Sequence, residues 1–368
     1  MGTGDIDLEW NAFINGGPYA ADGHSFIQKE KCIECEIPKC SDIYISTKTM
    51  IAFLNNKIPL ADVFWNIPVI PYEKRSEGVI KKQMKVSCIN KQDVVALDDR
   101  IASEKTISVD VISKVDNPTA RKIKFKDVRK INIGLCKKDL MCYRTKKKGA
   151  FYNCFVLILR VKTKERFREV HVKVFNTGKL EIPGIQDNAC LFKALDCLID
   201  ILQPLTCSSL SYSRTDIETV LINSNFSANY YIDRDKFYDM LKYKYGLHVI
   251  YDPCSYPGIQ CKFYYNEMNP KKNGKCMCNN RCNKKGKGKG VNDCLEISFM
   301  IFRTGSVLIV GHCEEYVLRE IYGFLCGVLR AEYAVISTPT PSKAKSKGKT
   351  TKLRKKSILV TKDPVDKA

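Results

Sequence analysis

The sequence predicts an α+β fold made of two similar units, each an antiparallel sheet with helices on one face. Two observations carry this. A stretch of 33 residues occurs twice without a gap, and within each copy the apolar residues alternate with period two and then switch to helical spacing. The first copy, VHVKVFNTGKLEIPGIQDNACLFKALDCLIDIL, runs from Val170 to Leu202. The second, ISFMIFRTGSVLIVGHCEEYVLREIYGFLCGVL, runs from Ile297 to Leu329. Phe175 matches Phe302, Gly178 matches Gly305, Gly184 matches Gly311, and Leu191, Leu198 and Leu202 match Leu318, Leu325 and Leu329.

Each copy reads as strand, tight turn, strand, helix. Val170, Val172 and Val174 alternate with His171, Lys173 and Phe175; Ile297, Phe299 and Ile301 alternate with Ser298, Met300 and Phe302. That alternation marks half-buried strands. Gly178 and Gly305 stand where a tight turn needs positive φ. The helices follow, with Leu191, Ala194, Leu195, Leu198 and Leu202 on one face of the first and Asp187 as its expected N-cap. Leu318, Ile321, Tyr322, Leu325 and Leu329 form the matching face of the second. Upstream lie candidate first strands at Thr47–Leu54 and Ile217–Phe226, then short helices at Leu60–Trp65 and Asp233–Leu241. Ser76-Glu77-Gly78-Val79 and Tyr256-Pro257-Gly258-Ile259 each open a further strand. A sheet covered by helices on one face leaves the other free. Phe175 and Phe302 fall on that free face, and large exposed rings call for a partner.

The chain divides into an N-terminal Cys-containing segment (1–45), a first repeat (46–205) with a basic insert near 89–150, a second repeat (206–332) with a Cys/Lys-rich insert near 266–293, and a disordered basic tail (333–368). The net charge of +21 is concentrated. Residues 121–148 hold twelve Lys/Arg against two Asp, 270–290 hold eight and no acid, and 339–368 hold ten against two Asp. These segments read as loops or tail and suit phosphate contact through counterion release; the competing reading is a solubilising run. No apolar run is long enough to span a bilayer and the N-terminus lacks a signal pattern, so the expected partner is not a membrane and the expected location is intracellular. The eighteen cysteines then read mostly as reduced, small buried hydrophobes.

At this point the chain resembles the TATA-box-binding protein family. The resemblance rests on Phe175–Gly184, Phe302–Gly311 and the Tyr256-Pro257-Gly258-Ile259 element, and it covers about residues 45–90 and 150–330. The long inserts and Cys/Lys/Asn-rich style are similar to versions encoded by large DNA viruses. The resemblance implies a pseudo-twofold saddle: a curved, ten-stranded antiparallel sheet with four helices on its convex face, its concave face seated on the minor groove of double-stranded A/T-rich promoter DNA. There aromatic wedges kink the duplex and readout depends partly on deformability. It implies a transcription initiation factor whose partners are DNA and the transcription machinery, acting at the site of transcription, whether nucleus, viral factory or virion. Carried over by position, Phe175 and Phe302 match one wedge per repeat, and Tyr256 the second wedge of repeat two. Ser76 falls at the matching place in repeat one, or, in an alternative alignment using 151–161, Phe155 does. Lys173, Lys179, Lys262 and Arg303 are the basic DNA-contact candidates, and Thr47 stands near an expected groove-lining Asn; Asn223 is its counterpart only if the register slips. Ser306 stands opposite Lys179, and Pro183 and Val310 replace the family's Thr.

Cys276, Cys278, Cys282 and Cys294 form a second constellation. Their CxC, x3, C, x11, C spacing is irregular, yet four thiolates suit a structural zinc, and no other cofactor is called for. Cys32, Cys35 and Cys40, with His24, offer a weaker set. No nucleophile–base pair, phosphate-cradling glycine motif or metal–carboxylate motif stands out, so no enzymatic activity is expected. The competing functions are a saddle used mainly for protein interaction with weak DNA binding, and an accessory domain of a nucleic-acid enzyme.

Overall fold

The computed structural model describes residues 36–104, 107–141, 151–164, 166–278 and 282–339. The chain clusters into two units, Met1–Ile37 and Pro38–Ala368; all that follows concerns the second. Its strands are β1 (Tyr44–Phe53), β2 (Gly78–Cys88), β3 (Ile107–Asp116), β4 (Phe125–Gly134), β5 (Cys154–Thr163), β6 (Arg166–Phe175), β7 (Lys179–Ile185), β8 (Glu218–Ser227), β9 (Tyr231–Ile232), β10 (His248–Ile250), β11 (Ile259–Tyr265), β12 (Leu295–Ile301), β13 (Ser306–Gly311) and β14 (Ser337–Thr338). Its helices are α1 (Leu60–Asn66), α2 (Lys91–Ala102), α3 (Lys137–Met141), α4 (Asn188–Leu202), α5 (Arg234–Asp239), α6 (Glu315–Ala331) and α7 (Tyr333–Ile336).

Twelve strands form one sheet in the order β10-β11-β12-β13-β8-β1-β7-β6-β5-β2-β4-β3. The seam between β8 and β1 divides ten of them into matching fives. Outward from the seam, β13, β12, β11 and β10 answer to β7, β6, β5 and β2. The α+β two-repeat class expected from the sequence is therefore present, with β4 and β3 as additions at one edge. Those two strands correct the reading of the first basic insert as loop. β4 lies inside it and buries Val128, Ile131 and Ile133 beside β2. The charged residues around them mask the alternation that would have marked a strand.

Each half has its own core. Met50, Ala52, Leu157, Leu159, Val172, Val174, Leu180 and Ile182 meet Leu191, Ala194, Leu195, Leu198 and Leu202 of α4. Ile222, Phe226, Phe263, Phe299, Ile301 and Ile309 meet Leu318, Ile321, Leu325 and Leu329 of α6. The two long helices thus cover the same face of the sheet, as their 3.6-residue spacing requires. Asp187 caps α4, its carboxylate accepting the Cys190 N–H at 2.7 Å. Tyr322 stands at the edge of the α6 stripe, its ring edge-on to Phe226 at 4.9 Å and its hydroxyl donating to the Ser41 carbonyl. The second short helix ends earlier than expected, at Asp239, and continues as a π turn over Met240–Lys244. Residues 333–338, read as the start of the tail, form α7 and β14, and β14 pairs with β9; the tail from 340 onward lies outside the described residues.

The turn glycines are equivalent in the two halves. Gly178 has φ +86° and Gly305 φ +79°, and their N–H groups donate back to the Phe175 and Phe302 carbonyls. An added Cβ would collide with the carbonyl oxygen of Asn56 in one half and of Tyr230 in the other. Gly178→Ala and Gly305→Ala are each expected to cost about 2 kcal/mol, from left-handed backbone strain plus that clash. Urea unfolding checks this; an unchanged midpoint would refute the equivalence of the two turns.

Candidate nucleic-acid interface

Alternation within the strands puts one set of side chains opposite the helices. On β6 these are His171, Lys173 and Phe175; on β12 Glu296, Ser298 and Met300, with Phe302 just beyond the strand; on β11 Gln260, Lys262 and Tyr264. Phe175 and Phe302 are both outside the two cores and half-buried, rather than fully displayed.

Neighbours account for that partial burial. The Phe302 ring meets the Tyr256 ring edge-on, 5.9 Å between centroids and 62° between planes. Gly258 lies beneath both: a Cβ there would come within 3.0 Å of each ring, so a side chain at 258 would displace the pair. In the first half Lys179 Nζ lies 5.9 Å from the Phe175 ring centroid.

Strand register decides between the two sequence alignments of the first-half partner: the one using 151–161 has the right strand, and the ring at the site is Tyr152 rather than Phe155. β5 pairs with β6 so that Cys154 lies opposite Phe175. β11 pairs with β12 with Ile259 opposite Ile301, so one step further Gly258 lies opposite Phe302. Tyr256, two residues before Gly258, therefore corresponds to Tyr152, two residues before Cys154. Ser76 precedes β2, one strand further from the seam, and so is not the counterpart. Phe155 is fully buried, 6.1 Å from Phe64 between ring centroids, and points toward the helices. Tyr152 is 57% exposed, with Lys85 Nζ 3.5 Å from its ring centroid, and its neighbour Phe151 is 60% exposed with Lys173 at 5.2 Å. The signal was available in the sequence: Tyr152-Asn153-Cys154-Phe155 repeats the aromatic, spacer, small, apolar order of Tyr256-Pro257-Gly258-Ile259.

The seam carries polar groups. Thr47 on β1 is the register partner of Asn223 on β8, and Asn223 Nδ2 donates to Thr47 Oγ1 at 3.3 Å. Asn225 Nδ2 donates to Ser46 Oγ at 2.6 Å. Irregularities in the β1 register on either side of Thr47–Thr49 set this pairing, so Asn223 faces Thr47 directly.

The basic candidates are less available than their charge suggests. Lys173 Nζ lies 2.6 Å from Glu181 Oε1, and Lys262 Nζ lies 2.6 Å from Glu296 Oε1 and 3.1 Å from Ser298 Oγ. One ion pair thus occupies this face in each half. Arg303 is exposed in the turn, where its carbonyl accepts the Ile232 N–H at 2.9 Å. At the outer strands of the first half the face is covered. Ile80, Ile158 and Cys136 form a small buried cluster against Tyr72. Arg160 fixes that cover by donating to the carbonyls of Tyr72 and Lys74, and Lys81 joins Asp139 of α3 at 2.7 Å. Burial first, and then the hydrogen bond to Asp139, push the Cys136 thiol up to about 11.

The second insert brings Cys276, Cys278, Cys282 and Cys294 together, with all four Sγ atoms within 4.8 Å of one another. Cys294 Sγ lies 3.3 Å from Cys278 Sγ and 3.6 Å from Cys276 Sγ, too far for a disulfide. Asn266 Nδ2 reaches Cys294 Sγ at 3.8 Å. Burial opposes ionisation of Cys282, but the Cys294 and Lys284 backbone groups and the neighbouring thiols draw it down to about 7. Four convergent thiols of this kind can hold a metal ion. In the N-terminal set, Cys32, Cys35 and His24 lie outside the described residues, while Cys40 packs with the second-half core that includes Cys326 of α6.

The fold and this face define a two-repeat sheet with helices behind and paired aromatics in front. No protein-family model matches the chain. The chain is similar to a mimivirus protein named "TATA-box-binding protein-like" [Acanthamoeba polyphaga mimivirus], with 25% identity over 214 residues, 54% of this chain and 54% of that protein. The resemblance read from the repeats is thereby borne out, and the chain spans about half the length of that relative. Among solved structures it overlaps Methanococcus jannaschii TBP with a TM-score of 0.37 and 11% identity, covering 79% of this chain and 99% of that one. Among the described residues no helix is long and apolar enough to cross a membrane.

Proposed function

We propose that this chain is a non-enzymatic transcription factor of the TATA-box-binding-protein type, which seats its open sheet face on the minor groove of A/T-rich promoter DNA and works with a transcription apparatus. The observation that carries this reading is the register equivalence of two aromatic pairs, Tyr152 with Phe175 and Tyr256 with Phe302, one at each side of the seam. Rings presented in pairs are suited to enter base steps, where unstacking is offset by the wider contact of a bent duplex. Between them, the Asn223 and Asn225 amides offer donors to the acceptor-only edge of A·T pairs. Gel mobility and bending of an A·T-rich duplex, with wild type and with aromatic variants, test the reading.

A second reading, a saddle working mainly through protein contact, is favoured by one observation. The Lys173–Glu181 and Lys262–Glu296 pairs leave carboxylates on the face that would meet DNA. Capture of polymerase or initiation-factor subunits by a chain with no duplex affinity would select it.

The ion suited to the four cysteines is zinc, because soft thiolates in a closed tetrahedral set select it, and its role is structural. Purified protein is expected to hold one zinc per chain. Cys276→Ser with Cys278→Ser is expected to lower the zinc content to background, measured by mass spectrometry of the metal; full retention would show that the cysteines do not bind it.

A further inference from the structure

The second insert does more than close on its cysteines: it sets Lys284 against an open-face ring, with three more exposed lysines following it in the loop. Its backbone is ordered around Asp293, whose carboxylate oxygens accept the Lys287 N–H at 3.0 Å and the Lys289 N–H at 3.2 Å. Gly286 N–H donates to the Cys294 carbonyl and Gly288 N–H to the Asp293 carbonyl. The loop is fastened to the sheet where the Glu267 N–H reaches the Gly288 carbonyl and Asn266 Nδ2 reaches the Gly290 carbonyl. Gly288, at φ +79°, is buried against Tyr265, so this close approach needs glycine.

One lysine of the insert is held in an ion pair and a run of others is not. Lys272, on the helix side, is paired with Glu320 at 3.0 Å. On the other arm Lys284, Lys285, Lys287 and Lys289 are exposed and make no ion pair among the described residues. Lys284 Nζ lies 4.8 Å from the ring centroid of Tyr264, an open-face residue of β11 whose hydroxyl is 3.2 Å from His248 Nδ1. That contact places Lys284 beside the face that carries the aromatic pairs. A run of glycine and lysine buries too little to hold itself in one conformation. An ion held by Cys276, Cys278, Cys282 and Cys294, which bracket the run, would supply what composition does not.

We infer that this insert is a metal-dependent phosphate clamp: a zinc ion on the four cysteines fixes the loop, and Lys284, Lys285, Lys287 and Lys289 take backbone phosphates flanking the seated duplex. This rests on the DNA-binding reading and adds a division of labour to it. Because Lys173 and Lys262 are neutralised on the sheet, the insert supplies a share of the salt-dependent part of affinity, and shape readout comes from the aromatics.

The test uses the full chain on an A·T-rich duplex, with binding followed by fluorescence anisotropy between about 50 and 200 mM salt and bending followed in parallel. The variant Lys284→Gln, Lys285→Gln, Lys287→Gln, Lys289→Gln is expected to keep its metal while the slope of log K against log salt becomes shallower by about 3.6, near 0.9 for each of the four phosphates released. The Cys276→Ser, Cys278→Ser variant is expected to show the same loss with every lysine present. Wild-type protein stripped by a chelator is expected to show the same loss and to recover the full slope when zinc is restored, which separates loop ordering from misfolding. A wild-type slope in the lysine variant, or in metal-free protein, would overturn the clamp. If the slope responds as expected but the duplex stays straight, the minor-groove reading falls and the clamp stands. If wild type binds no duplex at low salt, both fall.

Discussion

Replacing Phe175 and Phe302 together by alanine is expected to abolish bending of an A·T-rich duplex and to weaken binding on the order of a hundredfold, about 3 kcal/mol, from two lost stacking platforms. The two rings lie at equivalent places beside the turns, outside both cores. Both rings are half-buried and Phe302 packs on Tyr256, so their removal should cost no more than about 1–2 kcal/mol of stability and leave the protein folded. Loss of bending with a retained fold identifies them as wedges. Loss of both identifies them as structural, and full bending by the double variant refutes the assignment. Adding Tyr152→Ala should deepen the loss, because register makes it the partner of Phe175 as Tyr256 is of Phe302.

The second large effect runs in the opposite direction. Glu181→Gln with Glu296→Gln is expected to tighten DNA binding roughly tenfold and to steepen its salt dependence by about 2, one phosphate for each lysine released. In the wild type each carboxylate lies 2.6 Å from a lysine that would otherwise face the duplex. The carboxylate also brings negative charge toward the negative potential of the groove. An isolated pair in partial contact with water contributes little to stability, so the substitutions should not unfold the protein. If affinity is unchanged, these lysines are not at the interface. If it falls, the carboxylates are themselves contacts, as the protein-interaction reading would have them.

Much of this was legible before the structure because burial and periodicity are local. Val170, Val172 and Val174 and the leucines of α4 declare their faces through spacing alone, and Asp187 announces its helix by residue type. Two features escaped, for different reasons. Strand β4 carries Lys126, Arg129 and Lys130 among its buried Val128, Ile131 and Ile133, so average charge concealed the pattern. The partner of Phe175 stays open between Ser76 and Phe155 in the sequence, because a shared Gly-aliphatic pair draws Ser76 into alignment with Tyr256. Cross-strand register, a non-local property, decides between the two alignments by showing that β5 and not β2 answers to β11. The cysteine set falls between these cases. Its ligands could be named from the sequence, but the eleven-residue gap before Cys294 looked irregular until the turn around Asp293 brought that thiol back to the other three.

The central claim is that the open face of this sheet receives and kinks a duplex between its two aromatic pairs. The most direct measurement is the end-to-end distance of a doubly labelled A·T-rich duplex, read by energy transfer as the full-length protein is added. The account expects the ends to approach on binding, and to remain apart with the Phe175→Ala, Phe302→Ala protein. A wild-type complex that forms while the ends stay at the distance of free DNA would contradict it.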